Sequence, residues 1–191
     1  MSIIDKVVAA VTPPESEDAR RQARAKARAA AGTGDWLAQI LDHHVQIEAA
    51  FAAVTAAVGL GPRRLAQREL EVLLSAHANA EEAVIYPALI YFGHKIHGTA
   101  GYTEQAGAKA NLGELDYLDA LSEAYLDKLE HIRGAVAHHV YEEEGDRFLD
   151  LKKLSVEDQL RLTERYREEF ERFMGGSAPA AGLLPVGKGT L

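Results

Sequence analysis

The chain has 191 residues, 47% of them apolar, with 21 Lys and Arg against 29 Asp and Glu, a formal charge of −8 and no cysteine. That length suits one domain with short appendages, the missing thiols exclude disulfides and thiolate metal sites, and the acidic balance argues against a nucleic-acid partner. Ser2 to Val11 is too short and too polar for a signal peptide and no window approaches the ~20 apolar residues of a membrane span, so a cytoplasmic protein with no membrane partner is expected.

Ala is abundant and runs of Val, Ile and Thr are sparse, so helices are predicted throughout. Residues 2–11 suit a short amphipathic helix. Thr12-Pro13-Pro14-Glu15 has the form of a helix start, and a basic, Ala-rich helix follows to about Ala31. Gly32-Thr33-Gly34 breaks it. Asp35 caps a long helix to about Val58, with the stripe Leu37, Ile40, Leu41, His44, Ile47, Phe51 and Val54 at helical spacing. A second runs from about Pro62 to Phe92, its stripe passing through Leu70, Leu74, His77, Glu81 and Val84, with a kink expected at Pro87.

Gly93 to Gly101 is predicted as a loop and Tyr102 to Leu118 as a third helix, with Gln105, Ala108, Leu112 and Leu115 inward. A fourth runs from Ser122 to about Asp150, with Leu129, Ile132, Val136, His139, Val140 and Glu143 inward. Ser155 and Asp158 cap a last amphipathic helix ending near Met174. The expected fold is all-α: an antiparallel four-helix bundle with extra N-terminal helices and a short C-terminal helix. Its divisions are an N-terminal helical extension over 1–34, the metal-binding bundle over 35–150, the C-terminal helix over 151–174 and a flexible tail over 175–191.

Three segments share one arrangement: His44 with Glu48, His77 with Glu81, and His139 with Glu143. Residues four apart sit one turn apart on the same helix face, and each pair continues an apolar stripe. Carboxylates in a core are costly unless paired or bound to a cation, so three such motifs point to a metal centre rather than to surface pairs. Without cysteine the donors are imidazole and carboxylate, which suit iron, manganese or zinc. His138 and Glu142 share a less apolar face and are assigned to solvent or to a supporting role. His43 is either solvated or a hydrogen-bond support for the ligands.

These residues resemble the hemerythrin-like family, the HHE cation-binding domain. The resemblance rests on His77-Ala-Asn-Ala-Glu81-Glu82 followed by Tyr86-Pro87, on His138-His139-Val140-Tyr141-Glu142-Glu143-Glu144-Gly145, and less specifically on His43 to Phe51. It implies a non-haem centre of two iron ions with an oxo or hydroxo bridge, Glu81 and Glu143 bridging, and reactions with dioxygen, peroxide or nitric oxide. Where the family carries a His on the third helix, this chain has Gln105. The vacancy is open to the Gln105 oxygen, Glu104, Glu48, His94, His97 or water. The metal-site candidates are therefore His44, Glu48, His77, Glu81, Gln105, His139 and Glu143.

Three functions compete. One is binding or turnover of a diatomic or peroxide ligand, in keeping with oxidative-stress chemistry. Another is non-enzymatic iron or oxygen sensing through a protein partner, with the basic stretch Arg20, Arg21, Arg24, Lys26 and Arg28 and the last helix as candidate surfaces. The third is a metal-free helical interaction module. A homodimer is left open, as is whether the protein is an enzyme.

Overall fold

The computed structural model describes residues 15–176, all of whose regular elements are helical, with no strand among them. The helices are α1 (Glu17–Ala30), α2 (Trp36–Ala56), α3 (Leu60–Ala80), α4 (Tyr86–Tyr91), α5 (Lys95–Glu114), α6 (Glu123–Glu142) and α7 (Val156–Gly176). Their starts follow from local chemistry. The Ser16 hydroxyl accepts the Ala19 N–H, Asp35 accepts that of Ala38, and Ser122 accepts that of Tyr125, each satisfying a donor that a helix start leaves orphaned. The start of α1 therefore belongs to Ser16. The predicted helix over 2–11 and residues 12–14 lie outside the described residues, as does the tail beyond 176.

Two further predictions need correction. Gly93 to Gly101 is mostly helix, since α5 begins at Lys95. Gly98 and Gly101, two of the glycines that suggested a loop, serve close packing: a Cβ on Gly101 would lie 2.6 Å from the Tyr86 ring. Tertiary contact thus outweighs the low helix propensity of glycine. The helix that ends in Glu142 does not continue unbroken to Asp150. A π turn over Glu143–Arg147 and a short 3-10 turn over Leu151–Lys153 replace its end.

The predicted interruption at Pro87 takes a specific form. A π turn spans Glu81–Ile85, and the Tyr86 N–H bonds to the Glu81 carbonyl. Pro87 has no N–H and its ring crowds the preceding turn, which a widened turn relieves. The second π turn repeats the pattern, with the Phe148 N–H on the Glu143 carbonyl.

The core has two apolar parts. One gathers Trp36, Leu41, Val84, Leu89, Phe148 and Tyr166; the other gathers Ile47, Phe51, Leu74, Leu112, Ile132 and Val140. Each buried large apolar side chain stabilises by about 1.5–3 kcal/mol. Helix α7, set apart in the sequence reading, is part of this core. It accepts the Trp36 indole N–H on Gln159 at 2.7 Å and the Trp36 backbone N–H on Thr163 at 3.1 Å.

Candidate metal centre

Along each contributing helix, the predicted donors fall between the two apolar parts. His44 follows Leu41 and precedes Ile47 on α2; His77 lies between Leu74 and Ala80 on α3; His139 follows Val136 on α6. Glu81 and Glu143 are the first residues of the two π turns, a kind of local widening frequent at functional sites. His44, His77, Glu81, Gln105, His139 and Glu143 are all buried, so a polar layer lies between two apolar ones.

Three imidazoles turn Nε2 towards two carboxylates. His77 Nε2 is 3.3 Å from Glu81 Oε2, His139 Nε2 is 3.2 Å from Glu143 Oε1, and His44 Nε2 is 3.5 Å from Glu143 Oε2. His44, His77, Glu81 and Glu143 each offer a donor atom, all within 4.8 Å of one another. Three of the atoms facing this space, His44 Nε2, Glu81 Oε1 and Glu143 Oε2, are buried with no hydrogen-bond partner. Buried polar atoms are normally satisfied, so three orphans in one place are atoms that a bound cation could satisfy.

The opposite ring nitrogens are all held. His44 Nδ1 is 2.9 Å from Glu144, which is itself paired with Arg24. His139 Nδ1 is 2.6 Å from Glu104, which pairs with Arg147. His77 Nδ1 is 3.1 Å from the Tyr166 hydroxyl, which also lies 2.9 Å from His43 Nδ1. Burial, then the neighbouring His44, pulls His43 down to about 4, so its ring is neutral, and the single Tyr166 proton goes to one of the two Nδ1 atoms while the hydroxyl oxygen accepts from the other. Holding Nδ1 in this way fixes each ring with Nε2 facing the centre.

The charges follow from this geometry. Burial opposes protonation of His44 and His139, but Glu143 with Glu144 raises His44 to about 9, and Glu143 with Glu104 raises His139 to about 10. Burial pushes Glu81 up, reinforced by Glu143, whereas His139 and His44 hold Glu143 down against its own burial. His77 falls well below the ordinary range through burial and the nearby His44. The cluster alone thus keeps protons where opposite charge is needed.

The side near α5 is different. The Tyr86 hydroxyl lies 3.1 Å from Glu81, 2.9 Å from Glu143 and 3.2 Å from His139 Nε2. Gln105 directs its amide nitrogen to Glu81 Oε2 at 2.8 Å and to the Tyr86 hydroxyl at 3.2 Å. It is buried as expected, yet presents a donor and not a ligating oxygen. One half of the cluster therefore has two imidazoles, and the other has one imidazole with a phenol and an amide.

Glu48 departs from expectation. It is not in the cluster but lies outward, bonded through both oxygens to Arg24 at 2.7 and 2.9 Å. A bidentate charged pair at the surface costs less than a third carboxylate in the core. His94 and His97 group with Asp150 instead, and Glu104 supports His139. His138 faces Glu15 and Glu142 faces Arg147, both partly exposed, in line with the register predicted for that helix. Tyr102 donates to the Glu82 carbonyl. The basic row is internally paired, Arg20 to Glu15, Arg21 to Asp18 and Arg28 to Asp42 besides Arg24.

Tyr86, Glu144, Arg147 and Tyr166 were not assigned from the sequence. Glu144 and Arg147 follow Glu143 closely, but their partners come from α1 and α5. Tyr166 was legible only as part of the Leu162, Tyr166, Phe170 stripe of α7.

A cavity of about 230 Å³ reaches the cluster, lined by Ile47, Leu74, His77, Gln105, Ala108 and His139 among others. A second, of about 340 Å³, opens beside His44 between Arg24, Glu48 and Arg133. A larger depression of about 740 Å³ between α3 and α7 touches none of the clustered donors.

No family model matches the chain, and no solved structure matches it. A DNA nickase of Nostoc sp. is 28% identical over 117 residues, covering 58% of this chain and 32% of that protein. The chain therefore spans about a third of the length of that relative.

Proposed function

We propose that the buried cluster is a metal centre holding two cations, iron by preference, in a hemerythrin-like four-helix bundle formed by α2, α3 with α4, α5 and α6. The observation that carries this reading is the set of orphaned inward atoms, His44 Nε2, Glu81 Oε1 and Glu143 Oε2, with the Nδ1 atoms held from behind. The donor set fits: three imidazoles and two carboxylates exceed the three or four protein ligands of a zinc site. His44, His77, His139, Glu81 and Glu143 would hold the ions.

When bound, such a pair supplies Lewis-acid and one-electron chemistry towards dioxygen, peroxide or nitric oxide. The chain's own part is more specific. Glu144, Glu104 and Tyr166 orient the imidazoles, and the apolar parts of the core on either side keep bulk water out. The cavity beside Gln105 and His139 admits a small ligand. Tyr86 and Gln105 put two neutral hydrogen-bond donors next to the half of the centre with fewer imidazoles.

The test is metal content after iron loading of the full chain, with an absorption spectrum. Two iron ions per chain and near-ultraviolet ligand-to-iron charge transfer are expected, together with consumption of peroxide or nitric oxide. Chelation should lower the melting temperature, because a ligand that binds only the folded state at a hundred times its Kd adds about 2.7 kcal/mol. A carefully loaded sample with one iron or none overturns the reading.

The similarity to a DNA nickase favours a second reading, metal-dependent scission of a DNA strand. It runs against the acidic charge and the internal pairing of the basic row. Conversion of supercoiled plasmid to nicked circle by the loaded protein, lost in Glu143→Gln, would support it. Plasmid left intact would discard it.

A further inference from the structure

We propose that His94, His97 and Asp150 form a second, half-exposed site for a divalent cation of the zinc type, separate from the buried cluster. His94 caps the start of α5, and His97 follows one helical turn later on the same side, their rings 6.2 Å apart and nearly parallel. Asp150 comes from the turn after the second π segment, with Oδ2 3.2 Å from His94 Nδ1. The three side chains offer donor atoms that lie within 4.8 Å of one another. The second observation is that His97 Nδ1 is buried with no hydrogen-bond partner.

The positions of the donors are set by the backbone. Gly93 has φ +96°, which L side chains rarely adopt. The turn it makes is closed by the His94 N–H on the Leu89 carbonyl at 2.7 Å. Asp150 sits between Phe148 and Leu151, both fully buried, so its carboxylate is presented from an anchored turn. Lys153 takes Oδ1 at 2.5 Å and leaves Oδ2 facing His94.

Two imidazoles and one carboxylate are the donor set of an open zinc site, with a fourth position for water. Two donors each about 2.1 Å from one ion lie about 3.4 Å apart in a tetrahedron, so side-chain rotations of roughly an ångström close the set. The His94–Asp150 hydrogen bond is what a cation would replace. It would clamp the α4–α5 corner to the turn that follows Glu143. The proposal does not depend on the reading of the buried cluster.

Zinc uptake by the full chain tests it, by equilibrium dialysis with metal analysis and by melting temperature, in wild type, His97→Asn, Asp150→Asn, His94→Gln and Glu143→Gln, with helix content checked by circular dichroism. Each of the first three variants should lose one zinc equivalent, or bind it at least tenfold more weakly, and lose the part of the zinc-induced rise in melting temperature that goes with it. Glu143→Gln should keep that equivalent, as should the exposed control His131→Asn. If the three variants take up zinc with the stoichiometry and affinity of wild type, or if the equivalent disappears only in Glu143→Gln, the site is overturned.

Discussion

The Tyr166 hydroxyl lies 3.1 Å from His77 Nδ1 and 2.9 Å from His43 Nδ1, so the last described helix holds an imidazole of the buried cluster. Tyr166→Phe removes the hydrogen-bond partner of His77 Nδ1 and leaves that nitrogen buried and unpaired. Loss of such a support typically weakens metal binding by about 10–100-fold. Competition against a chelator of known affinity should show this drop with helix content unchanged. Unaltered affinity would mean that Tyr166 only fills space.

The register of α6 makes neighbouring glutamates unequal. Glu143 is fully buried against His44 and His139, whereas Glu142 pairs at the surface with Arg147. Glu143→Gln and Glu81→Gln should each reduce bound metal, while Glu142→Gln and Glu48→Gln should leave it near wild type. Metal content per chain after identical loading is the measurement. Equal losses at Glu142 and Glu143 would move the centre to another face.

Gln105 presents an amide nitrogen to Glu81 and Tyr86. Replacing it with His puts a fourth imidazole on the side that has one. Gln105→His should tighten the weaker of the two metals, shift the charge-transfer spectrum and slow peroxide turnover if an open position carries the reaction. Identical affinity, spectrum and turnover would place Gln105 outside the coordination sphere.

Asp35 caps α2 and also binds Lys152. Its burial favours the neutral form, but Lys152 and the N–H groups of Ala38 and Gly32 outweigh that and hold its pKa below the usual aspartate value. A depressed folded-state pKa gives stability that is present above pH ~4 and lost as the pH falls through the lower, folded value. Asp35→Ala should therefore cost about 1 kcal/mol near pH 7, a typical cap loss, and progressively less as the pH falls below 4. Denaturant unfolding at both pH values reads the difference. A pH-independent cost would assign the effect to helix geometry and not to charge.

The helical character of this chain and the inward face of most of its helices were legible because they depend on residues close in sequence. Periodicity placed His44, His77, Glu81, Gln105, His139 and Glu143 on buried stripes, and the choice of His139 over His138 came from the same apolar spacing. Pro87 announced a local break, since a missing N–H is a property of one residue.

What sequence spacing could not decide was how stripes on different helices meet. Glu48 satisfied the same spacing as Glu81 and Glu143, but it lies next to Arg24 of α1, and a charged pair at the surface is cheaper than another carboxylate in the core. Gly98 and Gly101 looked like part of a loop because their use is a close approach to Tyr86, which exists only once α5 packs. Tyr166, Glu144 and Glu104 hold the three imidazoles from helices distant in sequence, and Tyr86 and Gln105 converge on Glu81 from α4 and α5. Periodicity along one helix says which side is inward; tertiary packing alone decides which inward atoms share a centre, because that depends on distances between chain segments that no local pattern contains.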